Sequence, residues 1–253
     1  MKWALVKWLA CTDCGCRDLF VREDRVENHA EWGKISSAGG AGVQGSEWRK
    51  EVMEGTLVCR GCDWSYPIRE GIPDLRLGKQ TSHVPEAQGP KVDGAQWVWQ
   101  EGFLERLTPA SPDDWMGSLT LGVGCGYVKW AYFAGRYGAE VVAVDSEPAL
   151  ARTLFENTNL LENVHVVLGN TRRLPLCSRE FDVVYCFGLL DNSLGPNILF
   201  EECTRVLHSG GCFSTWVYGR RRGVLDSSRH LFRALTADWS HDERMKISRL
   251  LAS

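Results

Sequence analysis

Two groups of residues in this 253-residue chain have types and spacings suited to chemistry. The first is Gly124-Cys125-Gly126, followed 21 residues after Gly124 by Asp145. Glycines at a turn let the backbone approach a ligand with no side chain between, and the N–H groups at a helix start then face it. A carboxylate at the end of the next parallel strand can accept hydrogen bonds from ribose hydroxyls. Together they predict a nucleoside cofactor. The second group is two cysteine pairs, Cys11/Cys14 and Cys59/Cys62, each separated by two residues. Two such knuckles give the tetrahedral sulfur set that Zn²⁺ prefers; buried or redox thiols are the alternative. The 44 residues between the pairs exceed the common spacing, and Ser36–Ser46 reads as a flexible excursion above a compact ribbon. Cys16 could substitute as a ligand, although its spacing from Cys11 fits a knuckle less well.

The elements that must position the first group can be read from apolar periodicity. The run LTLGV enters the glycine turn, an apolar and aromatic stretch from Val128 to Tyr137 follows, and VVAV delivers Asp145. Pro148 suits the first turn of a helix reaching Asn157. Val164–Leu168 is a third strand ending in Gly169-Asn170-Thr171, and Phe181–Phe187 is a fourth. A helix over Pro196–Leu207, a turn at Ser209-Gly210-Gly211 and a fifth strand over Cys212–Tyr218 complete the series. This alternation predicts an α/β fold: a Rossmann-like open parallel sheet with helices on both faces and its ligand at the carboxyl ends of the strands. The expected domains are a ribbon over 1–77, a polar linker over 78–93, the sheet domain over 94–223 and a helical tail over 224–253. Trp97, Trp99, Phe103, Leu104 and Leu107 mark a helix leading into the sheet. No strand-like run follows the fifth strand, so the sheet is expected to end there, with its edge covered by the tail, a partner or a second copy.

The string LGVGCGYVKW resembles the first motif, L-D-V-G-C-G-x-G, of class I S-adenosylmethionine-dependent methyltransferases. Nicotinamide and flavin binders would place glycine where Lys129 stands. The resemblance implies that Gly122, Gly124, Cys125 and Gly126 border the methionine end of S-adenosylmethionine. Asp145 and Ser146 would hold the ribose, Asn170 and Thr171 the adenine, and Phe187 through Asp191 the transferred methyl. Asp191 and Tyr218 are the candidates on the acceptor side. Three positions depart from the family: Gly122 replaces an aspartate, Val128 the third glycine and Asn170 an aspartate. Further on, Arg173-Leu174-Pro175-Leu176, Phe181-Asp182-Val183-Val184 and Glu201…Arg205 resemble the family's strings around strand four and the helix after it. The segment from Trp64 to Asp74, with Tyr66-Pro67-Ile68 and Gly71-Ile72-Pro73, resembles the close of the zinc-ribbon proteins that activate tRNA and protein methyltransferases. Such a ribbon fused to a methyltransferase is the organisation this implies, with Zn at Cys11, Cys14, Cys59 and Cys62.

Bulk properties bound the remaining choices. A hydrophobic share of 44%, a charged share of 24% and a net charge of −3 describe a globular protein with no overall bias toward nucleic acid or anionic lipid. The first ten residues, interrupted by Lys7, do not form a signal peptide, and no run is long enough for a membrane span, which predicts a cytoplasmic protein. Ten cysteines in a reducing compartment then favour metal or packing roles over disulfides. Arg220-Arg221-Arg222 lacks the aromatic interleaving of a nucleic-acid surface, while His165 and His208 read as surface or turn residues. Three functions remain: methyl transfer to a small molecule, a non-catalytic scaffold that keeps the fold, and methylation of tRNA or protein through the ribbon.

Overall fold

Apolar runs that alternate between two faces have to be covered twice, and the way this chain covers them positions the site. The computed structural model describes residues 1–28, 50–76, 115–124, 129–190 and 195–217. Cys125, Gly126, Val128, Asp191, Tyr218, the Ser36–Ser46 excursion, the linker, the leading helix and the tail lie outside the described residues.

The N-terminal part opens with a short 3-10 helix, Trp3–Trp8. Four antiparallel strands follow: β1 (Leu19–Asn28), β2 (Lys50–Cys59), β3 (Ser65–Arg69) and β4 (Ile72–Pro73), paired in that order. Glu70 and Gly71 turn β3 into β4 with φ of 49° and 80°, the left-handed region that glycine tolerates. A Cβ on Gly71 would also lie 2.4 Å from the Phe155 ring, so glycine is required there for packing as well.

The second part is a five-stranded parallel sheet: β5 (Leu119–Val123), β6 (Glu140–Asp145), β7 (Val164–Leu168), β8 (Phe181–Phe187) and β9 (Leu207–Trp216). The spatial order β7-β6-β5-β8-β9 puts the switch point between β5 and β8, as the Rossmann-like reading requires. Helices α1 (Lys129–Arg136), α2 (Pro148–Thr158) and α3 (Pro196–Val206) connect the strands. The expected turn at Ser209–Gly211 instead lies inside β9. The pairing jumps from Phe181↔Leu207 to Val183↔Cys212, so this stretch bulges from the ladder, and Gly210 has φ +89°.

Side-chain alternation sends Val141, Ala143, Val164, Val166, Val183 and Tyr185 to one face, where α1 and α2 bury them with Trp130, Ala134, Ala151 and Leu154. Leu121, Val123, Val142, Val144, Val167, Val184 and Cys186 face the other way. There α3 covers the β8 side through Leu199, Cys203 and Val206. The β7–β8 crossover, residues 169–180, carries no helix. Leu5, Trp8, Leu9, Leu57, Ile68 and Leu75 of the N-terminal part join that same apolar cluster. Main-chain bonds fix the junction: Ala10 N–H donates to Pro175 O at 3.0 Å, Cys177 N–H to Trp8 O at 2.8 Å and Leu75 N–H to Leu168 O at 2.8 Å. Residues 1–217 accordingly form one compact unit.

His165 is a correction to its surface reading. It is buried in β7 with Nε2 2.5 Å from Glu140 Oε1, and Trp8 packs edge-on against it at 5.3 Å. Desolvation lowers its pKa, opposed by Glu140. Above Leu161 and Val164 lies buried Lys2, whose Nζ donates to both carbonyls. Burial lowers that amine to about 8, with Glu51 and Glu140 acting in the other direction.

Candidate cofactor and metal sites

The ligand end of the sheet is built from the strand termini. Val123 ends β5, and Gly124 follows with φ +69° and its N–H 2.9 Å from Val144 O, which docks the start of the turn onto β6. The open side of Gly124 is not empty. An ideal Cβ there would come within 2.7 Å of Leu189 Cδ2, so the missing side chain admits Leu189 from the segment after β8. Gly122 is buried inside β5 beside Ala143 and Tyr185 and presents no polar group where the resembling family has a carboxylate.

Asp145 closes β6 with 5% of its surface exposed. Its Oδ1 accepts the Glu147 N–H at 2.9 Å, and the Ser146 N–H also supports the carboxylate. Desolvation outweighs those bonds and raises its pKa to about 6, with Glu147 adding to the rise. Among the described residues no cationic side chain pairs with it. A buried carboxylate held in place by backbone N–H groups and lacking a cation suits a pair of hydroxyl donors, which is what a ribose offers. Ser146 itself is exposed.

One strand away, Gly169 donates to Asp145 O at 2.8 Å, which places Asn170 and Thr171 beside the Asp145 corner. Asn170 Oδ1 accepts the Arg172 N–H at 2.9 Å, so its amide oxygen already holds the turn and its Nδ2 donors are the more available part. Phe187 stacks on Tyr185 at 5.5 Å and meets Trp130 edge-on at 5.4 Å, forming an aromatic wall at the end of β8.

The four cysteines expected to bind metal converge: their Sγ atoms all lie within 4.8 Å of one another. Cys11 and Cys62 are 3.6 Å apart, as are Cys14 and Cys59. A tetrahedron with Zn–S near 2.3 Å has edges of about 3.8 Å, so the donor set fits zinc. Tyr66 Oη sits 3.0 Å from Cys11 Sγ and accepts the Thr12 N–H at 2.9 Å, tying the first knuckle to β3. Burial pushes the Cys11 thiol up, but bonds from Tyr66, Cys14 and Asp13 outweigh it and bring the pKa down to about 7. The Gly61 N–H reaches Cys59 Sγ at 3.3 Å. Cys16 stands outside the four, its sulfur accepting the Asp18 N–H at 3.4 Å.

Sequence reading missed Tyr66 as a site residue and included Leu189 only as part of the Phe187–Asp191 segment. Leu189 carries no chemical signature and declares itself only through its contact with Gly124. Tyr66 did have a signal, the Tyr-Pro-Ile string, whose tyrosine is now seen to brace Cys11, one of the four converging cysteines. Among the described residues no helix is long and apolar enough to cross a membrane.

Parts of the chain are similar to known proteins. Residues 121–215 match the family model described as methyltransferase domain, and residues 9–71 match the one described as Trm112p-like protein. Malonyl-[acyl-carrier protein] O-methyltransferase from Marinomonas sp. is 29% identical over 150 residues, 55% of each chain. Demethylmenaquinone methyltransferase from Staphylococcus carnosus is 27% identical over 117 residues, 45% of this chain and 46% of that one. The chain thus spans about half the length of the curated relatives it matches. A solved SAM-dependent methyltransferase from Aquifex aeolicus is 19% identical, with a TM-score of 0.39 over 53% of this chain and 78% of the other.

Proposed function

We propose that this chain, a methyltransferase domain preceded by a Trm112p-like ribbon, transfers the methyl group of S-adenosylmethionine to a small-molecule nucleophile. The observation that carries the reading is Asp145: a buried, backbone-braced carboxylate at the end of β6, beside an elbow that begins at Gly124. Bound S-adenosylmethionine would supply an already activated methyl donor on its sulfonium. The protein's own task is then to align and desolvate rather than to move protons. In this reading Asp145 accepts the ribose hydroxyls, Asn170 and Thr171 meet the adenine, and Gly122 and Gly124 through Gly126 border the methionine end. The Phe187 wall and Leu189 exclude water from the methyl, and Asp191 and Tyr218, both outside the described residues, stay the candidates for the acceptor side.

Two relatives are named for malonyl-[acyl-carrier protein] and demethylmenaquinone, which supports a small organic acceptor. The ribbon's placement supports it too. Leu5, Trp8, Leu9 and Leu57 are spent on the chain's own sheet, so this surface is not free to dock an RNA or protein acceptor. Zinc held by Cys11, Cys14, Cys59 and Cys62 would be structural, since four thiolates leave no open position. The scaffold reading draws on Leu189, which packs against the elbow that the cofactor would use.

Titration calorimetry of zinc-loaded protein with S-adenosylmethionine separates the two. Saturable binding that weakens in Asp145→Ala upholds the enzyme reading. No heat of binding from folded wild-type protein would remove it and leave the scaffold.

A further inference from the structure

The ribbon's last strand does more than cover the sheet. Asp74 forms a parallel bridge with Leu168, and Leu75 N–H donates to Leu168 O, so the chain leaving β4 runs alongside the C-terminal end of β7. Two residues beyond that bridge stand Arg76 on one segment and Asn170, the corner assigned above to adenine, on the other. The Arg76 side chain is only 18% exposed and is gripped by its neighbour: Nε donates to Asp74 Oδ1 at 2.9 Å and Nη2 to Asp74 Oδ2 at 2.7 Å. The Arg76 N–H also reaches Asp74 Oδ1 at 3.2 Å. Asp74 raises the pKa of this guanidinium most, against burial, and Glu147, two residues beyond Asp145, adds a smaller electrostatic effect in the same direction. Its Nη1 donors meet no acceptor among the described residues. A largely buried guanidinium held by a two-point carboxylate grip, with one nitrogen unpaired among the described residues, presents a pre-oriented donor beside this corner.

We infer that Arg76 is a cofactor-contact residue supplied by the ribbon, whose Nη1 donates to an acceptor nitrogen of the adenine in the bound adenosyl group, with Asp74 as its positioning residue. The inference rests on the methyltransferase reading of the same site. It makes the ribbon part of the adenosine pocket, so the two segments would bind the nucleoside jointly.

The test is calorimetry on the full zinc-loaded chain with two probes: S-adenosylmethionine, and 5′-methylthioadenosine, which keeps the adenosine half but lacks the amino acid. Losing a hydrogen bond from a charged donor corresponds to roughly a 10- to 100-fold loss of affinity. Arg76→Ala should lower affinity for both probes by the same factor in that range. Asp74→Asn, which keeps the guanidinium but loosens the grip, should lower both by a smaller common factor and serves if Arg76→Ala fails to fold. Wild-type affinity in a folded Arg76→Ala, or in Asp74→Asn where that alone folds, overturns the inference. A loss confined to S-adenosylmethionine overturns it as well, since the contact would then not be to adenosine. Absence of S-adenosylmethionine binding in wild-type protein defeats the methyltransferase reading itself.

Discussion

Replacing Asp145 with asparagine separates stability from ligand binding at one atom position. The folded protein holds the Asp145 proton up to about pH 6, whereas an unburied aspartate releases it near 3.8. Between those values the folded state binds more protons than the unfolded one, so stability falls as pH rises from about 4 to about 6 and this contribution is flat above. A rise of that size corresponds to on the order of 3 kcal/mol of destabilisation at pH 7, at about 1.4 kcal/mol per pH unit. Asparagine cannot ionise, yet its Oδ1 can still accept the Glu147 N–H. In zinc-loaded, cofactor-free protein, Asp145→Asn should therefore be more stable at pH 7 by up to about 3 kcal/mol and should lack the wild-type decline between pH 4 and 6. Urea unfolding across pH 4–8 measures both quantities. The same variant should bind S-adenosylmethionine more weakly, and wild-type affinity should fall below about pH 6 as the carboxylate takes up its proton. A variant less stable than wild type at pH 7, with the decline intact, would refute the reasoning and place the buried charge elsewhere.

Two further outcomes follow from packing. Gly124→Ala adds a methyl 2.7 Å from Leu189 Cδ2 at φ +69°, so it should cost roughly 2–4 kcal/mol of clash and left-handed strain. Adding Leu189→Ala should return part of that cost, a coupling that a double-mutant cycle of unfolding free energies would show. Chelating the metal, or Cys59→Ser, should melt the strands of both parts in one transition, because ribbon and sheet residues fill a single apolar cluster. Circular dichroism that lost only the ribbon's signal would contradict this.

Local signals made much of the site readable in advance. The run into Gly124, the stretch forming α1, and VVAV leading to Asp145 have their strand and helix periods written in adjacent residues, and β7 and β8 fall on the predicted Val164–Leu168 and Phe181–Phe187. The cysteine pairs were legible for the same reason, since each knuckle is a contiguous four-residue unit. Contacts between distant segments left no comparable trace. His165 was misread because a lone histidine carries no record of Trp8 and Glu140 closing over it. The bulge at Ser209–Gly211 resembled an ordinary helix-to-strand turn, and only its pairing with Asp182's neighbours shows otherwise. Arg76 passed unnoticed because it becomes meaningful only once β4 is seen beside β7.

The helix-free crossover from β7 to β8 has a practical corollary for anyone cutting or recombining this protein. Excising everything before Trp115 would wet Leu121, Val142 and Val167, and expressing the N-terminal strands by themselves would bare Trp8 and Leu9. Neither fragment carries a closed interior, so a chimera has to exchange both segments as a matched set.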